Sequence, residues 1–257
     1  MSFLMQLRID GIDFSYGKNE ILKKVYLELK ETQLMGILGP NGSGKTTMLR
    51  CINGILTPQQ GSIVLDEKEL KDMPRSEVAK NIGYVPQNSS SDLCSPTVYE
   101  VVLMGRKPHI TWQFSDRDKD IVWEAMEEMD VKDLASQRFD RLSSGQTQRV
   151  LMARAIAQEA HVLLLDEPTS NLDVKYQIEV MDRIHRLVHK NNISGCAVIH
   201  DLDLAMRFCD KAVLLNKGNI VAAGDVWDVI TPENIKKVYD MDIAIPDIYG
   251  RPRVVVL

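Results

Sequence analysis

Leu7, Ile9, Ile12 and Phe14, then Val25, Leu27 and Leu29, alternate with polar residues on either side of Tyr16-Gly17-Lys18-Asn19, which predicts two strands joined by a turn. The run Leu34-Met35-Gly36-Ile37-Leu38 predicts a short buried strand. Met48, Leu49, Ile52 and Leu56 then line one face of a helix that opens near Lys45, with Gly54 near its end. Gly61 to Asp66 and Asn81 to Pro86 read as further strands. From Asn88 to Arg141 the pattern changes. Pro96 to Met104 and Asp118 to Met129 carry apolar residues at helical spacing, and the polar stretch Asn88-Ser89-Ser90-Ser91-Asp92 reads as a hinge. Strands resume at Val162-Leu163-Leu164-Leu165, followed by a helix through Val174, Ile178, Met181 and Ile184 and a strand at Cys196 to Ile199. Ala212 to Leu215 and Ile220 to Ala222 flank the turn Asn216-Lys217-Gly218-Asn219, and Thr231-Pro232 starts a helix with proline at its first position. The expected organisation is an α/β core from 1–87 and 162–257, with an antiparallel β piece at its start and a helical subdomain inserted at 88–161.

The junction between the Leu34–Leu38 strand and the next helix carries the strongest chemistry. Gly39-Pro40-Asn41-Gly42-Ser43-Gly44-Lys45-Thr46, followed by Thr47, fits the phosphate-binding pattern G-x-x-x-x-G-K-[ST] in the required order of strand, loop and helix. Glycines let the backbone turn its N–H groups inward as an anion nest, continued by the positive end of the helix. Lys45 is placed to reach the β and γ phosphates, and the Thr46 hydroxyl to ligate Mg²⁺. The motif implies a nucleoside triphosphate without saying how it is used.

Other polar groups fall where predicted strands end, the edge at which open α/β sheets bind ligands. Asp166-Glu167 follows Val162–Leu165, so one carboxylate can hold Mg²⁺ through water while the other orients and deprotonates a nucleophilic water. Gln87 lies past Pro86, within reach of the metal or the water, and His200 follows Ile199, within reach of a γ phosphate. Tyr16 is an aromatic that either stacks on a base or packs in its strand.

Composition narrows the rest. With 31 basic and 36 acidic residues the formal charge is −5, and no long basic run offers a footprint for nucleic acid. Cys51, Cys94, Cys196 and Cys209 have no metal-like spacing and read as reduced structural thiols of a cytosolic protein. No apolar run approaches the roughly 18–20 residues of a membrane span, and Met1 to Gln6 is too short for a signal segment, so work at a membrane is expected to go through a partner.

Leu142-Ser143-Ser144-Gly145-Gln146-Thr147-Gln148-Arg149 resembles the LSGGQ signature of ATP-binding cassette (ABC) ATPases. The resemblance extends along nearly the whole chain and implies a P-loop NTPase cassette with a RecA-like mixed sheet. It implies roles for Tyr16 as adenine-stacking aromatic, Gln87 as Q-loop, Glu167 as base, Asn171-Leu172-Asp173 as D-loop and His200 as switch histidine, with Thr46, Gln87 and Asp166 around Mg²⁺. In the family, two cassettes pack head to tail around ATP. Ser143, Ser144, Gly145, Gln146 and Asp173 of a second copy would therefore contact the nucleotide. Ser144 departs from the family's glycine, which weakens the site if the position needs φ > 0 or very close phosphate approach, and serine is expected to be tolerated there. Val102 to His109 is similar to a segment of importers for iron-siderophore complexes, haem and cobalamin, a class that includes some molybdate and tungstate systems. The implied partners are a second copy, integral membrane permease subunits and, indirectly, a substrate-binding protein, with the chain on the cytoplasmic face of the membrane. An exporter subunit and a soluble ABC ATPase of DNA repair or translation are the alternatives.

Overall fold

The computed structural model describes residues 7–87, 96–110, 112–170 and 172–257, so the hinge read at 88–92, Cys94 and Asn171 lie outside the described residues. Two larger sheets organise the chain. The first is antiparallel, in the order β2 (Asn19–Leu29), β1 (Leu7–Tyr16), β4 (Gln60–Leu65), β5 (Lys68–Glu69). The second has six strands: β10 (Asn219–Asp225), β9 (Lys211–Asn216), β3 (Leu34–Leu38), β8 (Ser194–Val198), β7 (Val162–Leu165) and β6 (Ile82–Val85). Only β10 runs antiparallel to its neighbour there.

The alternation of β3 explains how the layers meet. Leu34 and Leu38 join one hydrophobic core with Met181 and Ile184 of α6 (Val174–Lys190) and Val150 of α5 (Ser144–Ala157). Met35 and Ile37 point the other way, into a core with Met48, Leu49 and Ile52 of α1 (Lys45–Ile52) and with Leu7 and Ile9 of the antiparallel sheet. Covered on both faces, β3, β7 and β8 are buried at every position, which is why they read as solid apolar runs. Their parallel direction brings the residues after Leu38, Val85, Leu165 and Val198 to one edge of the sheet.

The helical part contains α3 (Val98–Leu103), α4 (Asp116–Glu128) and α5. Each starts with a capping box, Thr97 with Glu100, Ser115 with Asp118 and Ser143 with Gln146. A 3₁₀ turn over Met104–His109 extends α3 and buries Arg106. Its guanidinium donates to Asp118 at 2.9 Å, to Glu159 at 2.7 Å and to the Ala157 carbonyl at 2.7 Å. Hydrogen bonds from Ser115 and Arg106 hold the Asp118 carboxyl down at about 2. The C-terminal part adds α9 (Pro232–Tyr239), capped by Thr231 with Pro232 at its start.

Candidate active site

The glycine loop closes between β3 and α1. Gly39 has φ 145°, and a Cβ there would lie 2.3 Å from the Leu215 carbonyl oxygen and 2.7 Å from Ser43 Oγ. Gly44, at φ 108°, caps α1 with no side chain, and a Cβ there would meet Leu22 Cδ2 at 2.9 Å. Only glycine fits both positions. The first amides of α1 thus keep no side-chain acceptor, as an anion site requires. Ser43 is buried and its Oγ has no hydrogen-bond partner among the described residues. Leaving a buried hydroxyl unpaired costs about 1–3 kcal/mol, and a phosphate oxygen would remove that cost. Asn41 and Gly42 form the exposed tip, while Thr46 and Thr47 are half-buried in the first turn of α1.

Lys45 is also buried, and its Nζ donates to the carbonyls of Gly39 at 2.8 Å and Pro40 at 3.0 Å. Burial pushes its ammonium below the ordinary lysine range, and the charges of Glu167 and Asp166 push back. The group therefore sits inside the loop, paired with carbonyls that a phosphate can replace.

The strand-end residues fall into two linked sets. Thr46 Oγ1 donates to Asp166 Oδ1 at 2.9 Å. Adjacent oxygens around an octahedral Mg²⁺, each about 2.1 Å away, lie about 3.0 Å apart, so this pair fits a magnesium corner. Asp166 is buried, which raises its carboxyl pKa against the lowering effect of hydrogen bonds from Thr46 and Tyr84. In the second set, Gln87 Nε2 donates to Glu167 Oε2, and His200 Nε2 lies 2.7 Å from Glu167 Oε1. Sequence reasoning placed Gln87 within reach of the metal or the attacking water and His200 within reach of a γ phosphate. Here both rest on the carboxylate expected to act as base. Glu167 has φ 54°, a left-handed turn out of the strand.

The signature residues stand apart from these sets. Ser143 and Ser144 are exposed, and Ser143 Oγ accepts from the Gln146 N–H at 3.3 Å while Gln146 Oε1 accepts from the Ser143 N–H at 3.0 Å. Ser144 is the first residue of α5 and is not in the left-handed region. A Cβ on Gly145 would meet only Leu172 Cδ2, at 3.8 Å. None of the bonds joining Thr46, Asp166, Gln87, Glu167 and His200 includes Ser143, Gly145 or Gln146. Asp173 caps α6, accepting from the Tyr176 N–H at 3.0 Å. Tyr16 is 47% exposed at the end of β1, edge-on to Phe14 with ring centroids 4.9 Å apart.

Three further residues complete the surroundings. Tyr84 donates its hydroxyl to Asp166 Oδ2 at 3.1 Å. Arg50, one helical turn along from Thr46, has its pKa raised by Tyr84 and, less strongly, by Tyr16, against the lowering effect of burial. Tyr239 of α9 accepts the Gly39 N–H at 2.8 Å, tying the C-terminal helix to the loop. Tyr84 carried a usable signal, because it lies three residues before Gln87 on the same strand end. Tyr239 carried none, being 200 residues from its partner.

An ABC transporter family model matches residues 22–170. Over 252 residues the chain is 45% identical to an uncharacterised ABC transporter ATP-binding protein of Methanocaldococcus jannaschii, covering 98% of both chains. It is 39% identical to the cobalamin import ATP-binding protein BtuD of Halobacterium salinarum over 94% of this chain and 60% of that relative. A solved inward-facing structure described as a metal-chelate type ABC transporter aligns with TM-score 0.86 and 29% identity over 98% of both chains. With these matches, the mixed parallel sheet, the antiparallel N-terminal sheet and the phosphate loop in hand, the chain belongs to the ABC transporter family as an ATP-binding cassette ATPase.

Proposed function

We propose that this chain is the ATP-hydrolysing subunit of a membrane importer for a metal chelate or related ligand: an iron-siderophore complex, haem, cobalamin or a metal oxyanion. The observation that carries the catalytic part is Glu167, a carboxylate at a strand end held between Gln87 and His200 next to the Thr46–Asp166 pair. Glu167 takes a proton from water as its oxygen attacks the γ phosphorus of ATP, the bond to the β-phosphate oxygen breaks, and ADP and phosphate leave. Lys45, Ser43 and the first amides of α1 hold the phosphates, and His200 orients the γ phosphate. Thr46, Asp166 and Gln87 would hold Mg²⁺, which supplies charge neutralisation between the β and γ oxygens.

The exposed signature supports a second copy as partner. Ser143 Oγ accepts from Gln146 and so keeps its own proton to donate, and the N-terminus of α5 faces solvent with Ser144 and Gly145. In a head-to-tail pair, Ser143, Ser144, Gly145, Gln146 and Asp173 of one copy close the nucleotide of the other. ATP would join the pair and hydrolysis release it. Residues 88–161 form the unit that carries this signature, and 1–87 with 162–257 the unit that carries the loop.

The import reading rests on the relatives' names and on the surface around Met104 and Trp112, exposed by 41% and 96%. A permease helix would dock there, placing the chain at the cytoplasmic face of the membrane, with a binding protein delivering ligand from outside. Among the described residues no helix is long and apolar enough to cross a membrane. The test is to reconstitute the chain with its co-purifying permease in vesicles. Import moves ligand toward the side supplied with ATP and this chain. Movement in the opposite direction, or no membrane partner at all, contradicts it.

A further inference from the structure

The edge of the sheet opposite the nucleotide loop carries a cluster that the ATPase reaction does not use. His185 and His189 lie one turn apart near the end of α6, and Asp210 directly precedes β9. One ligand atom of each lies within 4.8 Å of the others, and all three side chains are half-buried. We propose that His185, His189 and Asp210 bind a divalent transition-metal ion of the zinc class.

Hydrogen bonding fixes the chemistry of the central ligand. His189 Nδ1 lies 2.8 Å from the His185 carbonyl oxygen, an acceptor, so Nδ1 carries the proton. In the neutral ring Nε2 is then a bare lone pair, and it faces Asp210 Oδ2 at 3.3 Å. A lone pair opposite a carboxylate oxygen is repulsive unless a proton or a metal cation lies between them. Nitrogen and oxygen ligands about 2.1 Å from a tetrahedral Zn²⁺ lie about 3.4 Å apart, the separation observed here. The His185 carbonyl is the outer partner that metal-binding imidazoles commonly use to fix tautomer and orientation.

The other two ligands fit the same role. Asp210 Oδ2 is positioned by the Leu34 N–H at 2.7 Å. The rings of His185 and His189 stack with centroids 4.2 Å apart and 29° between planes, so His185 must turn about its side-chain bonds to aim a nitrogen at the ion. Two imidazoles and one carboxylate suit zinc, cobalt, nickel or copper rather than Mg²⁺ or Ca²⁺. Water would complete the coordination, since the His189 and Asp210 side chains are each 34% exposed. A bound ion would join the end of α6, whose start carries Asp173, to the start of β3, whose end leads into Gly39.

The test uses the full chain, stripped with chelator and free of nucleotide. It is titrated with Zn²⁺ by calorimetry and with Co²⁺ by visible absorption. One ion per chain is expected, with an imidazole-to-cobalt spectrum, and binding should survive Asp166→Asn, which removes the other carboxylate corner. His189→Gln and Asp210→Asn should weaken it by more than the ~10- to 100-fold that loss of an outer partner costs. Asp210→Asn keeps an oxygen for the Leu34 N–H, so it decides the matter if His189→Gln fails to fold. Absence of saturable Zn²⁺ binding in the wild type, or wild-type affinity in Asp210→Asn and in His185→Gln/His189→Gln, overturns the proposal.

Discussion

The N-termini of α1 and α5 are the same local device in opposite surroundings. At α1 the end has no side-chain cap, Gly44 is wedged against Leu22, and Ser43 and Lys45 are 2% and 6% exposed. At α5 the end is closed by its own capping box, and Ser143 and Ser144 lie in solvent. The first end is unsatisfied and enclosed, which is costly unless an anion arrives. The second is satisfied and open, so it is stable alone and available to a surface brought from outside. In the proposed head-to-tail pair, one chain would carry the two halves of a nucleotide site, built to different rules, and a second copy would bring unlike halves together.

The sharpest way to break that contrast is to disable the enclosed half. Lys45→Ala removes the ammonium that would exchange its Gly39 and Pro40 carbonyl partners for phosphate oxygens, and both hydrolysis and ATP-driven dimer closure should be lost, seen by phosphate release and by sedimentation with ATP. Glu167→Gln should slow turnover about 10²-fold or more while ATP binding stays intact, because the carboxylate touches Gln87 and His200 rather than the loop. A wild-type rate in that variant would remove Glu167 as the base. Tyr84→Phe takes one hydrogen bond from Asp166, so the Mg²⁺ concentration for half-maximal hydrolysis should rise roughly tenfold, with little change at saturating Mg²⁺. At the open half the effect is smallest. Ser144→Gly should keep or modestly raise ATPase activity, since Ser144 already has helical geometry, and a large loss would give serine a specific role.

Local spacing made the phosphate loop, the Asp166-Glu167 strand end and the signature readable, because each is a short run whose neighbours in sequence are its neighbours in space. The contacts of Gln87 and His200 with Glu167 join separate strand ends and could not be read from spacing. What could not be read depends on distant pairing. The strand at Gln60–Leu65 pairs with β1, Leu7 opposite Leu65, instead of joining the parallel sheet, and no periodicity signals that choice. The burial of Arg106 could not be read locally because its partners Asp118 and Glu159 lie 12 and 53 residues away. Tyr239 reaches Gly39 only because α9 folds back on the core. One half of the doubt over Ser144 was conformational, and the backbone at that residue is helical and not left-handed.

The composition of the nucleotide site from two copies is tested most directly by mixing two crippled chains, both carrying Glu167→Gln to hold ATP. One has Lys45→Ala, which kills its loop, and the other has Gly145→Arg, which blocks its signature. Each alone should remain monomeric with ATP and Mg²⁺. Mixed, they should form an ATP-dependent heterodimer holding one nucleotide, between the intact loop of the second chain and the intact signature of the first. If the mixture stays monomeric while the Glu167→Gln parent dimerises, or if either crippled chain dimerises alone as the parent does, loop and signature do not meet across two copies.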